Sequence, residues 1–180
     1  MKSRILILLA CLFLYSSNEV QAQLIYFFDQ SNYNVAPNST VDVALFITQT
    51  GSTDVLTTEG LDSIGGRVFF NDPTVPADPA VVLATSDIMP NIAFDDSFEN
   101  KDLVADVSAG IEDSIGFSSD PVKGSSILVG TFRFTAGSLL GEVTNLRATD
   151  FDPGSDSIVS GVNLTGLDNL LGADATATIT

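Results

Sequence analysis

The chain has 180 residues, with 7 Lys or Arg against 23 Asp or Glu, no histidine, no tryptophan and a single cysteine. With no imidazole and only Cys11, it has no Ser-His-Asp or Cys-His constellation, no zinc site of the usual nitrogen and sulfur donors, and no internal disulfide. A formal charge of −16 without a basic patch repels nucleic acid and anionic lipid, and suits solubility or divalent cations.

The first residues place Lys2 and Arg4 before an apolar run from Ile5 to Leu14, followed by a polar stretch that ends Val20-Gln21-Ala22. A positive start, an apolar stretch too short to span a bilayer and small residues before the cut predict a Sec signal peptide over residues 1–22, cleaved after Ala22. Leu8-Leu9-Ala10-Cys11 resembles a lipobox. Cys11, however, lies in the middle of the apolar run, so it is expected to leave with the peptide. Residues 23–180 then form one secreted domain with 5 basic and 22 acidic residues, a charge of −17. A chain of that length buries more than about 65% of its unfolded surface, enough for one core without cross-links.

Beyond residue 22 the chain reads as strands and turns. Leu24–Phe28 is the first expected strand, and the turn Ala36-Pro37-Asn38-Ser39 precedes a longer one, VDVALFITQT. In that run Val41, Val43, Leu45 and Ile47 share one face, and Asp42, Ala44, Phe46 and Thr48 the other, the period-two rhythm of a half-buried strand. Further strands are expected over Gly66–Phe70, Ala80–Thr85, Leu103–Ser108, Ser114–Phe117, Ile127–Thr135, Glu142–Ala148, Ser157–Leu164 and Ala175–Thr180. Turn clusters such as Asn71-Asp72-Pro73, Ser119-Asp120-Pro121 and Asp152-Pro153-Gly154 separate them. The stretch Ile127–Gly137 carries large apolar groups on both faces, which predicts a central strand. Phe69, Phe70, Phe132 and Phe134 are the expected core rings. Short strands at this spacing predict an all-β sandwich or barrel.

Several of these runs carry a resemblance. NYNVAPNSTVDVALFIT, EGLDSIGGRVFFNDP, AVVLATSDIMPN, SSILVGTFRFTAG and DATATIT together resemble the cohesin-like modules, relatives of the cellulose-binding-type sandwich found in secreted bacterial proteins that often carry a PEP-CTERM sorting tail. The resemblance covers nearly all of residues 23–180. It implies a roughly nine-stranded jelly-roll β-sandwich for protein or polysaccharide attachment at the cell exterior, with membrane attachment only if a sorting tail follows Thr180.

The residues offer three sites to weigh. In TDFDPGSDS, Asp150, Asp152 and Asp156 around Gly154 alternate along a tight loop, so their carboxylates and loop carbonyls can converge on calcium, which takes six to eight oxygens. The closing Glu of an EF-hand is missing and Pro153 alters the path. In FDDSFENKD, Asp95, Asp96 and Glu99 are expected on a long loop, with Asp102 a further member of a conceivable hydrolytic carboxylate pair. Tyr26, Phe27, Phe28 and Tyr33 are expected to pack the core, with sugar stacking as their alternative use. The expectation drawn from all of this is a secreted non-catalytic interaction module whose partner is an extracellular protein or polysaccharide. The alternatives are a strict carbohydrate-binding module and a calcium-stabilised surface or matrix protein. An enzyme is not expected.

Overall fold

A computed structural model of the chain describes residues 23–51, 54–70, 81–94, 98–104, 107–116 and 120–180. The expected signal peptide, Asp95, Asp96 and the turn Asn71-Asp72-Pro73 lie outside these residues. Two sheets face each other. The smaller is built from β1 (Gln23–Phe28), β3 (Thr40–Thr50), β9 (Ser126–Ala136) and β5 (Val81–Val82) in that order, with β6 (Ile88–Pro90) also bonded to β9. The larger runs β2 (Asn32–Tyr33), β12 (Ala175–Ile179), β10 (Thr144–Thr149), β4 (Leu61–Phe69), β8 (Ser108–Ser114) and β7 (Phe98–Val104), with β11 (Val159–Ser160) also on β4. Nine of these strands have three or more residues, and every pairing is antiparallel except β12 on β2. This is the expected all-β sandwich.

The rhythm of β3 is realised as read: Val43, Leu45 and Ile47 are buried, while Phe46 faces outward. The turn before it closes as expected, with Ser39 N donating to Ala36 O at 3.0 Å and Asn38 at φ 60. Tyr26 and Phe28 of β1 point inward, and the Tyr26 hydroxyl crosses the sandwich to donate to the Gly65 carbonyl at 2.6 Å. Phe70 and Phe134 meet edge to face at 5.2 Å, a favourable ring geometry. Among the described residues one α-helical turn, α1 (Val55–Thr58), is capped by Asp54, whose side chain accepts from Thr57 N.

Three expectations are corrected. The central strand β9 is not apolar on both faces. Leu45 pairs with Gly130 but Phe46 with Leu128, so a bulge inserts one residue opposite β3. That extra residue shifts the phase, and Ile127 and Val129 before it and Phe132 and Phe134 after it all point into the same core. Gly130 is needed at the bulge, because a Cβ there would stand 2.3 Å from Ile111 Cδ1 and 2.8 Å from Met89 O. Phe69 is not a core ring. It belongs to the outward phase of β4, whose inward residues are Ile64, Gly66 and Val68, and Arg147 covers it. Finally, the stretch expected as a loop to Asp102 becomes the edge strand β7 from Phe98, and the expected strand Leu103–Ser108 is divided between β7, which ends at Val104, and β8, which begins at Ser108.

Candidate functional site

The outer face of the larger sheet carries the densest set of side-chain interactions. Residues of β4 alternate, so Ser63, Gly65, Arg67 and Phe69 face away from the core, and β10 sets Arg147 and Thr149 beside Phe69 and Arg67. The loop that follows β10 then folds back over this face. The Phe151 ring lies so close over Gly110 that a Cβ there would meet its Cε2 at 2.7 Å and its Cδ2 at 2.8 Å. Only glycine leaves room for the ring.

Arg67 roofs the same ring, with its guanidinium carbon 5.1 Å from the centroid. Its nitrogens donate to Phe151 O at 3.1 Å, Ser108 Oγ at 3.3 Å and Asp102 Oδ2 at 2.6 Å. One strand over, Arg147 stands 4.5 Å above Phe69 and donates to Asp174 Oδ2 at 2.7 Å. Two of the five cations of residues 23–180 thus sit on aromatic rings on a single strand-backed face, each bound to an aspartate. Arg67 is mostly covered, whereas half of the Arg147 side chain is exposed.

The aspartates of the sequence motif lie on the rim of this face, and the structure adds a member that spacing did not suggest. Asp168, twelve residues beyond Asp156 and at the start of a 3-10 turn, accepts from Ser157 N, Ile158 N and Ser157 Oγ at 2.9–3.2 Å. The same hydroxyl lies 2.8 Å from Asp150 Oδ1, so Ser157 bridges Asp150 and Asp168. Partial burial first, and the neighbouring Asp168 charge after it, push the Asp150 carboxyl above the ordinary range. Asp152 turns back on its own loop, accepting from Gly154 N at 3.0 Å and Ser155 Oγ at 3.3 Å. Asp156 packs against Gly166, where a Cβ would fall 2.1 Å from its carboxylate. A shallow hollow of about 540 Å³ lies among Asp150, Gly154, Asp156, Asp168 and Asn169. Among the described residues, no three His, Cys, Asp or Glu gather closely enough to hold a metal ion.

The second acidic segment is divided by its strand. Glu99 and Asp102 fall on opposite faces of β7, the first bound to Lys101 at 2.7 Å and the second to Arg67. Of the early aromatic residues, Tyr26, Phe28 and Tyr33 are buried, while Phe27 faces outward and stacks on Phe46 of the neighbouring strand at 5.3 Å and 18°. Phe46 could have been found from the rhythm of β3, which places it out of phase with the core residues.

No family model matches the sequence, and no curated protein matches it. Solved structures do. The Coh-OlpA chain of a type I cohesin–dockerin complex from Clostridium thermocellum superposes with a TM-score of 0.61 at 7% identity, covering 88% of this chain and 99% of that one. The third ScaC cohesin of Acetivibrio cellulolyticus, bound to the ScaB dockerin, gives 0.56 at 15% identity over 88% and 99%. CaCohA2 of Clostridium acetobutylicum gives 0.55 at 15% identity over 90% and 94%. At these identities the likeness is one of fold, that of a cohesin-like β-sandwich.

Proposed function

We propose that residues 23–180 form a secreted, non-catalytic interaction module that docks an extracellular protein on the outer face of the larger sheet. The observation that carries this reading is the arginine-on-ring surface of Arg67, Phe151, Phe69 and Arg147. Interface hot spots are rich in arginine and aromatic residues held rigidly before the partner arrives. The cohesin-like fold supports it, since two of the matched cohesins were solved with dockerins. Secretion is supported by the pattern of residues 1–22.

The test is capture from the secreted proteome on immobilised protein. Wild type is expected to retain a protein partner that Arg147→Ala and Phe69→Ala release and Phe46→Ala, on the opposite sheet, keeps. No retained protein, or retention indifferent to the two face variants, refutes the reading. A second reading, glycan binding, is favoured by the Phe27–Phe46 ring pair, which offers a sugar a flat apolar platform. It predicts retardation in polysaccharide gels that Phe46→Ala abolishes.

A further inference from the structure

The edges of the two sheets are unequally protected. The smaller sheet ends on one side in β5 and β6, two and three residues long. On its other side stands β1, whose Tyr26 and Phe28 are buried and whose Leu24 carbonyl accepts from Gly172 N at 2.8 Å. The larger sheet ends in β2, again two residues, and in β7. Short or covered edges are the usual defence against strand pairing between molecules. β7 lacks it: all seven of its residues are at least partly exposed, and among the described residues it pairs with β8 and no other strand.

The register fixes which backbone groups this edge offers. Ile115 N donates to Asp62 O, so odd-numbered residues in the phase of β8 bond to β4 and even-numbered ones to β7. Phe98, Asn100, Asp102 and Val104 are the partners of those even-numbered residues, which leaves the N–H and C=O groups of Glu99, Lys101 and Leu103 facing away from the sheet. Phe98 and Val104, 52% and 46% exposed, stand at the two ends of the strand on the outer face. Lysine on an edge strand normally repels a second strand. Here Lys101 is bound to Glu99 at 2.7 Å and Asp102 to Arg67 at 2.6 Å, so the charges of β7 are neutralised within the molecule.

We propose that β7 is a docking edge for the β7 of a second copy, the two strands running antiparallel across a two-fold axis at Lys101. This register joins the outward groups of Glu99 to those of Leu103, and those of Lys101 to their own counterparts, leaving none over. It also sets Phe98 opposite Val104 and Asn100 opposite Asp102, an apolar contact and an amide–carboxylate one, at the closely spaced positions of the ladder. The two lysines meet on the axis, each between its own Glu99 and the diagonal Glu99 of the other copy, so the four charges cancel. The result is one continuous sheet that carries two copies of the Arg67 and Arg147 face side by side, whether or not that face binds a protein.

Sedimentation equilibrium tests this. Wild type should show a monomer–dimer equilibrium that tightens with salt, because screening relieves the repulsion between two strongly acidic chains. Lys101→Pro removes an outward N–H and leaves the ladder to β8 whole, so it should weaken dimerisation at least about tenfold with an unchanged circular dichroism spectrum. Phe98→Lys and Val104→Glu should each weaken self-association, and mixing the two proteins should restore it as a heterodimer, since the register places the substituted positions opposite each other. A wild type that stays monomeric across concentration and salt overturns the proposal. So does a folded Lys101→Pro protein that dimerises like wild type, or a mixture that associates no better than either variant alone. If Lys101→Pro fails to fold, the mixed pair decides.

Discussion

Replacing Phe151 with alanine tests how the outer face is sealed. The residue is 8% exposed, with Gly110 beneath its ring and the Arg67 guanidinium above. Removing a buried Phe side chain costs about 3–5 kcal/mol, and the sheet surface here lets water refill part of the space, which favours the lower end. Arg67 keeps its bonds to Asp102, to Ser108 and to the residue 151 carbonyl, so the loss is one of packing with a cation–π share of about 0.5–1 kcal/mol. The expected loss is about 3 kcal/mol, or a fall in Tm of about 6–12 °C for a domain of this size. Gly110→Ala alone forces a methyl into the ring and should cost about 1–3 kcal/mol. In the double variant that methyl enters space the ring has vacated, so urea denaturation of all four proteins should show a coupling of at least about 1 kcal/mol. Strict additivity, or a loss below about 1 kcal/mol for Phe151→Ala, would refute this packing.

Asp150 should impose a pH dependence of recognisable sign. Its folded-state pKa lies above the unfolded value, so the folded chain binds the proton more tightly; stability rises as pH falls through that range and is lost as pH climbs back. Asp150→Asn should flatten this slope in denaturant titrations between mildly acidic and neutral pH and leave the neutral protein no less stable, and an unchanged slope argues against the Asp150–Asp168 contact. At the alkaline end, Tyr26 and Tyr33 are the only tyrosines of residues 23–180. Both are raised chiefly by burial, Tyr26 further by the Asp150 and Asp168 charges and Tyr33 by its bond to Asp29. Stability should therefore fall as pH rises past the unfolded value of about 10, and phenolate absorbance should appear only with unfolding. A phenolate signal from folded protein would contradict their burial.

The sandwich was legible wherever one face of a strand is wet. Val43, Leu45 and Ile47 alternate with polar partners along β3, and that local rhythm fixed the inward face. It failed where tertiary events reset the phase. The β9 bulge arises from its pairing with β3, which no single-strand pattern contains, so Val129 and Phe132 looked like opposite faces of one strand. Phe69 failed for the converse reason: its phase was readable from Val68, but the guanidinium that covers it comes from a strand 78 residues later. At the acidic loop, spacing identified the aspartates of the turn. It could not identify Asp168, which the fold brings to Ser157 through the intervening strand and turn.

Charge follows the same logic one level up. Composition alone reports a surplus of acids, and a surplus on the surface costs little because water and salt screen it. Phase separates the ordinary acids from the unusual ones. Asp42 lies on the outer phase of β3 and meets Arg133 in solvent, whereas Asp62 and Asp113 occupy positions where every rhythm in the sequence calls for an apolar residue. An acid in the apolar phase of a strand is a local conflict between pattern and residue, and such conflicts persist in folded proteins where another group resolves them. Here the strand register sets two such conflicts side by side in β4 and β8, and for Asp113 the Ser114 amide, donating to Oδ1 at 2.8 Å, is one group that answers it.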